Sequence, residues 1–269
     1  MHSVSRPEPV EGFGIEQVRE WSPPGSPTAV VVLVHGIAEH SGRYERTGSL
    51  LADAGLLVRA FDLFGFGASG GPRGDITDWS IYHDQIERHL AWARGQDVKV
   101  VLMGHSMGGN LAAGYVLSGR PAPDLLVLSA PALSAGAAWQ RVLAGTLSKI
   151  VPSLAIPNSL KGTQLSRDPA VGEAYFSDPL VYTKATTRLG AFFFTAMADV
   201  TENSHRLDIP TLVLHGGADS IVPPQSTAPL GELPGVERHL YPGLQHEILN
   251  EPEGPEIVAE VVTWISAHS

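Results

Sequence analysis

Short apolar runs rich in β-branched residues alternate with longer helix-like stretches along most of this chain. The runs are AVVVLVHG (29–36), LLVRAFD (56–62), VKVVLM (98–103), DLLVLSA (124–130), PTLVLHG (210–216) and VERHLY (236–241). Continuous apolar strands separated by helices are typical of a mostly parallel sheet that helices cover on both faces. The sequence therefore predicts an α/β fold.

Four stretches with helical spacing of apolar residues lie between and after these runs. They are residues 44–55, 78–95, 109–119 and 252–268. In the second stretch, Asp78 is placed to cap the first turn. The apolar stripe of that stretch consists of Ile81, Ile86, Leu90 and Ala93. Each stretch predicts a helix that packs one face on the sheet.

Residues 131–206 interrupt this alternation. The segment is rich in Ala, Leu, Pro and Ser and shows no clear strand. Structureless loops of that length are uncommon in compact domains. We therefore expect a helical cap, residues 131–206, inserted into an α/β core that consists of residues 1–130 and 207–269.

The first part of the expected cap carries an apolar stripe at helical spacing. Its members are Trp139, Val142, Leu143, Leu147, Ile150, Val151 and Leu154. Core packing is the first interpretation of such a stripe. The second is that it lines an acyl-chain tunnel or touches a lipid interface. The same two interpretations apply to Phe192, Phe193 and Phe194.

Charge and residue usage exclude several classes of protein. The net charge of -10 argues against a nucleic-acid partner and against electrostatic docking on anionic lipid, because both need clustered Lys and Arg. The 269 residues include no cysteine, which excludes disulfides, thiolate zinc sites and a cysteine nucleophile. The N-terminal stretch does not have the pattern of a signal peptide, and no apolar run approaches a membrane span. A soluble cytoplasmic protein is expected.

The stretch VVLMGHSMGGNLAAGY, residues 100–115, places Ser106 between glycines, after a predicted strand and before a predicted helix. A sharp strand-to-helix turn forces a serine into a strained backbone conformation, so the neighbouring positions must be small. Gly104 and Gly108 meet that need. The alternative is a tight turn with an incidental serine, but the strand–turn–helix context favours a nucleophile.

A serine nucleophile needs a base, which in sheets of this kind is a histidine later in the chain. The histidines after Ser106 are His205, His215, His239, His246 and His268. His246 lies between the last predicted strand and the last predicted helix, where the base must come from. A loop histidine is usually a surface residue, but this position favours catalysis. For His215, at the end of a strand, packing in a turn is the favoured role.

The base in turn needs an acid that orients it. Asp219 lies in HGGADSIVP just beyond the strand at 210–216, and Asp199 is the reserve candidate. Aspartates after Gly-Gly commonly form turns. This one follows the carboxyl end of a strand, where ligand sites in such sheets are found. We therefore expect Ser106, Asp219 and His246 to form a catalytic triad.

Acyl transfer also requires two hydrogen-bond donors for the developing oxyanion. The N–H of Met107, next to the serine, supplies one, and the loop after an early strand supplies the other. In VLVHGIAEHSGRY, the pair His35-Gly36 allows a tight turn, and the Ile37 N–H is the expected second donor. The alternative is a turn that contains His-Gly incidentally. This chemistry needs no cofactor and no metal.

Four blocks of the sequence resemble the monoacylglycerol lipase family of α/β-hydrolases. They are HGIAEHSGRY, GHSMGG, HGGADSIVP and YPGLQHEILNEP, and LSRDPAVGEAYFSDPLVY at 165–182 is similar to the cap of that family. The resemblance covers residues 28–268 and implies the α/β-hydrolase fold, the triad and the oxyanion donors named above. It also implies that Glu39 and Arg43 bind substrate near the glycerol-recognising end of the pocket. An ion pair that holds the loop is the equal alternative for these two residues.

One stretch departs from the family. Members of the family usually carry RGHGxS after the second predicted strand. This chain has LFGFGAS there, so that Phe64 and Phe66 occupy positions at which the family has polar residues. Fine substrate preference therefore does not carry over. The same stretch contains GFGASG, but no helix is predicted to follow at once, so no dinucleotide site is expected. HEILNE lacks the second histidine of a zinc-protease motif.

These features predict a serine hydrolase that cleaves carboxylic esters of single-chain lipids, with monoacylglycerol as the expected substrate and fatty acid and glycerol as products. A broader carboxylesterase or a lysophospholipase with the same triad is the first alternative. A non-catalytic binding module is the second, and the complete triad argues against it. The expected partner is a small lipid ester. A transient contact of the cap with a membrane or lipid interface stays open, and the sequence does not determine the oligomeric state.

Overall fold

A computed structural model of the chain describes residues 3–133 and 138–268, with the side chains of residues 138–143 outside the description. The strands are β1 (Val4–Val10), β2 (Gly14–Trp21), β3 (Ala29–Val34), β4 (Leu56–Phe61), β5 (Lys99–His105), β6 (Leu125–Ser129), β7 (Ala155–Pro157), β8 (Lys184–Thr186), β9 (Thr211–Gly216) and β10 (Val236–Tyr241). The α-helices are α1 (Glu45–Asp53), α2 (Ser80–Arg94), α3 (Met107–Leu117), α4 (Ala138–Ile150), α5 (Gly162–Leu165), α6 (Pro169–Ser177), α7 (Thr187–Asn203) and α8 (Gly254–Ala267). Short 3-10 helices span Ser41–Tyr44, Ser204–Arg206, Pro224–Glu232 and Ile248–Asn250.

The central sheet has the strand order β1-β2-β4-β3-β5-β6-β9-β10. All pairings from β4 to β10 across this sheet are parallel, whereas β1 and β2 add to its edge in antiparallel pairs. The apolar runs in the sequence correspond to the parallel strands. The predicted fold class, a mostly parallel sheet flanked by helices, is confirmed.

Both faces of the central strands are buried, as the continuous apolar runs indicate. In β3, Val30, Val32 and Val34 pack with side chains of α2 and α3. Val31 and Leu33 point to the opposite face and pack with side chains of α1 and α8. Full burial of such side chains stabilises the fold by about 1.5–3 kcal/mol each. The middle of the sheet is therefore a rigid base for the loops at its carboxyl edge.

The N-terminal hairpin of β1 and β2 does not follow from the sequence pattern. β1 contains Pro7 and Pro9 and alternates exposed with half-buried residues, so no apolar run marks it. β2 joins the sheet through Val18 and Trp21, which pair with β4 and are fully buried. A strand at the sheet edge, with one face in solvent, carries little of the apolar signal by which central strands are recognised.

Helix α3 begins at Met107, directly after Ser106, and not at Gly109 as the apolar pattern indicates. Gly108 and Gly109 are poor helix formers, so the first turn does not look helical in the sequence. The N-terminal end of the helix, with its unpaired backbone N–H groups, therefore lies immediately at the serine.

The segment between β6 and β9 consists largely of helices α4 to α7 in its described part. The expectation that it contains no strand is wrong, because β7 and β8 form a small antiparallel pair from Ala155↔Thr186 to Pro157↔Lys184. Strands of three residues are too short for a recognisable pattern. The division of the chain into a core and a cap of residues 131–206 stays a prediction.

The apolar stripe of the cap is not packed as the first interpretation expects. Ile150 is 71% exposed and Leu154 is 51% exposed, and Val151 is also exposed, so core packing is wrong for these three residues. Leu147 instead lines an apolar cleft of about 410 Å³. The side chains of Trp139, Val142 and Leu143 lie outside the described residues.

The three consecutive phenylalanines of α7 lie in different surroundings. Phe193 stacks on Trp79 of the core, with ring centroids 5.9 Å apart. Phe194 lines the same apolar cleft as Leu147, and Phe192 packs against the core. Phe194 also packs against the buried residues Met197 and Val222, so core packing describes all three, and a role at an acyl-chain tunnel or a lipid interface stays a prediction.

Candidate active site

Ser106 occupies a sharp turn between β5 and α3. Its backbone has φ 54° and ψ -116°, a left-handed conformation that is strained for any residue except glycine. A Cβ atom on Gly104 would lie 2.2 Å from the Gly108 carbonyl oxygen, and one on Gly108 would lie 2.2 Å from the Val34 oxygen. The glycines are therefore required by close backbone contact, as the sequence indicates.

Three backbone hydrogen bonds hold Ser106 in this conformation. Its N–H donates to the Ser129 oxygen at 3.0 Å, which ties the turn to the end of β6. Its carbonyl oxygen accepts from the N–H groups of Asn110 and Ala132, each at 3.0 Å. Because the backbone is fixed from both sides, the strained turn persists in the folded protein.

Asp219 and His246 form the pair that the sequence predicts. Asp219 follows β9, and its Oδ1 accepts from the backbone N–H groups of Ile221 at 2.8 Å and Val222 at 2.9 Å. Its Oδ2 lies 2.7 Å from Nδ1 of His246. A carboxylate only accepts, so Nδ1 carries a proton, and Nε2 is the ring nitrogen that can act as a base.

The carboxyl group of Asp219 is held in its charged form. Burial by itself raises the pKa of Asp219, but hydrogen bonds from His215 and His246 outweigh this effect and lower the pKa below its ordinary range. Asp219 therefore stays ionised at neutral pH and can orient the imidazole of His246.

The loop that carries His246 is attached to α5, in the segment between β6 and β9. The His246 N–H donates to the Gln164 oxygen at 3.2 Å, and the Glu247 N–H donates to the Leu165 oxygen at 2.7 Å. Both acceptors belong to α5, in the segment between β6 and β9. The position of His246 thus depends on contacts with α5 as well as on β10 and α8.

The loop after β3 lies against the serine. His35 accepts from the Leu63 N–H through Nε2 at 2.9 Å and donates from Nδ1 to the Gly36 oxygen at 2.7 Å. Burial lowers the pKa of His35, so this neutral tautomer is stable. A Cβ on Gly36 would lie 3.3 Å from Cβ of Ser106. Ile37, the next residue, lines the same cavity as Ser106.

The cavity beside Ser106 has a volume of about 100 Å³. Its lining residues are Gly36, Ile37, Glu39, His105, Ser106, Asn158, Leu160, Leu165, Tyr175, Ile221, His246 and Glu247. The loops at the carboxyl edge of the sheet and the segment between β6 and β9 both contribute to this wall. The structure therefore brings Ser106, His246, Ile37 and Glu39 together at one cavity, with Asp219 behind His246 and Met107 directly after Ser106 in the chain.

Glu39 and Arg43 belong to a buried ion-pair network. Arg43 lies 2.8 Å from Oε2 of Glu39 and forms two parallel hydrogen bonds with Glu247, at 2.7 and 2.8 Å. Glu39 Oε1 also accepts from the Gly36 N–H and the Tyr44 hydroxyl, each at 2.7 Å. Burial raises the pKa of Glu39, but Arg43 and further neighbours lower it to about 2.

The two residues predicted to bind substrate thus hold different positions. Glu39 is on the cavity wall, whereas Arg43 is not among the lining residues and stacks on Tyr175, 4.8 Å from its ring centroid. The alternative interpretation, an ion pair that holds the loop, describes contacts that are present. Contact of Glu39 and Arg43 with substrate stays a prediction.

Of the other histidine candidates and the reserve acid Asp199, His215 is the one found in contact with the pair of Asp219 and His246. His205 is exposed after α7, and His239 is half-buried on β10 beside Glu260. Asp199 lines a different cleft and bonds to Asn203. His215 is the exception, because it contacts Asp219 directly. Its spacing of four residues from Asp219 was a usable signal for that contact.

Three further residues at the site were missed. His105 precedes Ser106, and its ring lies 4.8 Å from that of His246; burial and this neighbour lower the pKa of His105 to about 4. Glu247 and Tyr175 line the cavity. Only the tertiary fold brings Tyr175 and Glu247 to the serine, although Glu247 directly follows His246 in the sequence.

The apolar residues that depart from the family pattern are part of the core. Phe64 stacks on Phe13 of the N-terminal hairpin with ring centroids 4.0 Å apart, and Phe66 meets the ring of His35 edge-on at 6.1 Å. Phe64 and Phe66 therefore pack in the core, beside the hydrogen bonds that Asp62 accepts from Ser41 and Ala68. The stretch GFGASG is a loop, and the next helix after it begins only at Ser80, as expected.

No helix among the residues the structure describes is long and apolar enough to cross a membrane. Within the same residues, no group of histidine and acidic side chains is arranged to hold a metal ion.

Comparisons with known proteins identify relatives of this chain over most of its length. The family profile described as serine aminopeptidase, S33, matches residues 25–253. A monoacylglycerol lipase of Mycolicibacterium smegmatis is 35% identical over 92% of this chain and 91% of its own length. Phospholipase YtpA of Bacillus subtilis is 32% identical over 86% of this chain and 92% of its own length. The crystal structure of Paleococcus ferrophilus monoacylglycerol lipase superposes with a TM-score of 0.84 at 33% identity, covering 94% of this chain and 98% of that one.

Proposed function

Since the chain belongs to the monoacylglycerol lipase family of α/β-hydrolases, we propose that it is a serine hydrolase that cleaves monoacylglycerols to fatty acid and glycerol. The observation that carries the proposal is the 2.7 Å contact between Asp219 and His246 at the cavity of the strained Ser106. The relatives named monoacylglycerol lipases supply the substrate class.

Acylation begins when Ser106 Oγ attacks the ester carbonyl carbon and transfers its proton to Nε2 of His246. Asp219 supports this step because its carboxylate stabilises the imidazolium that forms. The tetrahedral intermediate then collapses, and the bond between the carbonyl carbon and the alcohol oxygen breaks. The alcohol leaves with the proton from Nε2, and the acyl group stays on Ser106.

The negative charge on the former carbonyl oxygen is stabilised by two backbone donors. Met107 is the first residue of α3, so its N–H has no partner within the helix, and the helix N-terminus favours an anion. Ile37 supplies the second N–H from the loop after β3. Removal of one such donor typically lowers kcat by about 10²–10³-fold.

Deacylation repeats the same steps with water as the nucleophile. His246 Nε2 accepts a proton from the water as its oxygen attacks the acyl carbon. The second tetrahedral intermediate collapses, and Ser106 Oγ takes the proton back from Nε2. The fatty acid leaves, and the enzyme returns to its starting state.

The alternative substrate class, lysophospholipids, is suggested by the relative named phospholipase YtpA. The charge at the cavity argues against it. Glu39 and Glu247 line the wall of the cavity beside Ser106. Among the described residues, Arg43 forms ion pairs with both of them. Two carboxylates and one guanidinium give this group a net charge of -1. A phosphate in the cavity is therefore repelled, by on the order of 2 kcal/mol at an intermediate dielectric.

We expect kcat/KM for a monoacylglycerol to exceed that for the lysophosphatidic acid with the same acyl chain by roughly 30-fold, which corresponds to about 2 kcal/mol. Glu247→Gln removes one negative charge, which leaves the group neutral, and will reduce this ratio to about one. The measurement is a steady-state panel of mono-, di- and triacylglycerols and lysophospholipids of one chain length.

Glu253→Gln is the matched control for Glu247→Gln. Glu253 is an exposed carboxylate nearby in the chain that pairs with Arg167, and its substitution should leave the ratio unchanged. Equal rates on both head groups in the unmodified enzyme, or a ratio insensitive to Glu247→Gln, would contradict the charge argument.

We also propose that the cap touches a lipid interface as substrate enters, so that the protein acts at the periphery of a membrane. Ile150, Val151, Leu154 and Ile156 expose apolar side chains in one short stretch. Ile156 also lines the apolar cleft of about 410 Å³, together with Leu147 and Phe194. Contact through this exposed apolar stretch, 150–156, would not require attraction to anionic lipid, which the net charge of -10 disfavours.

The double substitution Ile150→Ser/Leu154→Ser will lower kcat/KM for monoacylglycerol in neutral vesicles by roughly fivefold, because partitioning to an interface scales with buried apolar area. Hydrolysis of a water-soluble short-chain ester will be unaffected. Val4→Ser, an exposed apolar residue on β1, is the control. A vesicle rate equal to that of the unsubstituted enzyme would rule out interfacial contact through this stretch.

A further inference from the structure

His215 is a fully buried histidine that the reaction steps above do not use. It ends β9, and both its ring nitrogens have partners. Nε2 lies 2.9 Å from the Val222 carbonyl oxygen and 3.2 Å from Oδ2 of Asp219. Nδ1 lies 3.0 Å from Oγ1 of Thr227. The catalytic carboxylate is therefore in contact with two imidazoles, His246 and His215.

The neighbours of His215 determine where its proton lies. Nε2 faces a carbonyl and a carboxylate, which only accept, so Nε2 carries hydrogen. The Thr227 hydroxyl is 3.0 Å from both His215 Nδ1 and the Pro224 oxygen and has one proton to donate. The Pro224 oxygen already accepts from Nη2 of Arg238 at 2.7 Å, and Thr227 Oγ1 accepts from Nε of Arg238. Nδ1 of His215 is thus held by the Thr227 hydroxyl, which also donates to the Pro224 oxygen.

We propose that His215 is a positioning residue for the catalytic acid, whose Nε2–H holds the Asp219 carboxylate and the Val222 carbonyl in one fixed orientation. This inference rests on the proposed roles of Ser106, Asp219 and His246. Oδ1 of Asp219 is bound by the backbone of Ile221 and Val222, and Oδ2 is shared by the two imidazoles. His215 thus supplies the one side-chain donor, besides His246, that the described structure gives to this carboxylate.

The shared oxygen has a consequence for pH dependence. A donor on Oδ2 withdraws electron density from the carboxylate and weakens its attraction for the imidazolium form of His246. Loss of the His215 donor leaves the whole of Oδ2 to His246, so the protonated, inactive base is favoured and the acid limb of kcat/KM moves to higher pH. The charged and titratable groups around the two imidazoles are Asp219, Glu39, Glu247, His105 and Arg238.

The test compares His215→Met with His215→Gln in the full-length enzyme. Methionine fills the space without a donor. Glutamine places an amide near Nε2 and can donate to both Asp219 Oδ2 and Val222 O. We expect His215→Met to lower kcat by roughly tenfold, the loss of about one charge-assisted hydrogen bond, with little change in KM. The acid limb will move up by about half a pH unit, and His215→Gln will restore both readouts to near the original values.

The control is His239→Gln on the neighbouring strand β10, where the side chain is half-buried and contacts Glu260 instead of Asp219. Unchanged kcat and acid limb in His215→Met would overturn the proposal. So would equal losses in the Met and Gln variants, because they would indicate that the imidazole only fills space. A shift of the acid limb to lower pH would mean that the contact between Asp219 and His246 is lost. This result would also overturn the proposal.

Thr227→Val provides a second variant if His215→Met does not fold. It keeps His215 and removes only the hydroxyl that holds Nδ1, and the expected result is a roughly threefold lower kcat with the acid limb displaced upward. An unchanged profile would again overturn the proposal. A Ser106→Ala enzyme with full activity would instead contradict the proposed function, so the two failures are distinguishable.

Discussion

Replacement of Ser106 by alanine will lower kcat for ester hydrolysis by roughly 10⁴- to 10⁶-fold, because the nucleophile of the acyl-enzyme route is removed. The residual rate will come from water attack assisted by the oxyanion donors. The fold should be retained, since the backbone contacts of Ser106 with Ser129, Asn110 and Ala132 do not involve its hydroxyl. Alanine at this φ is also no more strained than serine.

The measurement combines single-turnover hydrolysis of a short p-nitrophenyl ester with labelling by a fluorophosphonate. The unsubstituted enzyme will be labelled at Ser106, and the variant will not. Ser118→Ala is the matched control: Ser118 caps the far end of the same helix, and its hydroxyl bonds only to the Tyr115 oxygen in the described structure. Retention of wild-type turnover by Ser106→Ala would refute the assignment of the nucleophile.

Asp219→Asn will lower kcat at neutral pH by roughly 10³- to 10⁴-fold with little change in shape. An asparagine offers His246 either a weaker acceptor or an amide donor. When the amide faces Nδ1, the imidazole proton moves to Nε2, and the nitrogen that must accept the Ser106 proton is blocked. The imidazolium also loses its counter-charge, which the 2.7 Å contact with Asp219 provides in the unsubstituted enzyme.

Steady-state kinetics and thermal unfolding together test this expectation. Asp199→Asn is the control, because Asp199 lies in another cleft and was the reserve candidate for the acid. A large loss in Asp199→Asn combined with a small loss in Asp219→Asn would reverse the assignment. Circular dichroism at the assay temperature shows whether Asp219→Asn is folded, and it thereby separates a loss of catalysis from a loss of structure.

The core of the site could be predicted because each of its parts follows a strand in the sequence. Ser106 follows the apolar run of β5, Asp219 follows that of β9, and His246 follows β10. Parallel strands end at one edge of a sheet, so residues just beyond them come together regardless of their distance in sequence. The glycines at 104 and 108 added a local signal, which the close backbone contacts at the turn explain.

Other features depend on contacts between distant segments. The hairpin of β1 and β2 has one face in solvent and two prolines, so its sequence does not show the apolar run of a central strand. Tyr175 lies on α6, far from Ser106 in the sequence, and it lines the cavity because of how the segment between β6 and β9 folds. The exposure of Ile150 and Leu154 could not be read from helical spacing, because spacing defines a face but not what covers it.

The tie between the His246 loop and α5 limits how this enzyme can be engineered. Two backbone carbonyls, of Gln164 and Leu165, receive the N–H groups of His246 and Glu247. A chimaera that grafts the cap of a relative onto this core would exchange both acceptors and disturb the base, even if the new cap folded well. A graft of the segment between β6 and β9 must therefore carry its matching 246–247 loop with it.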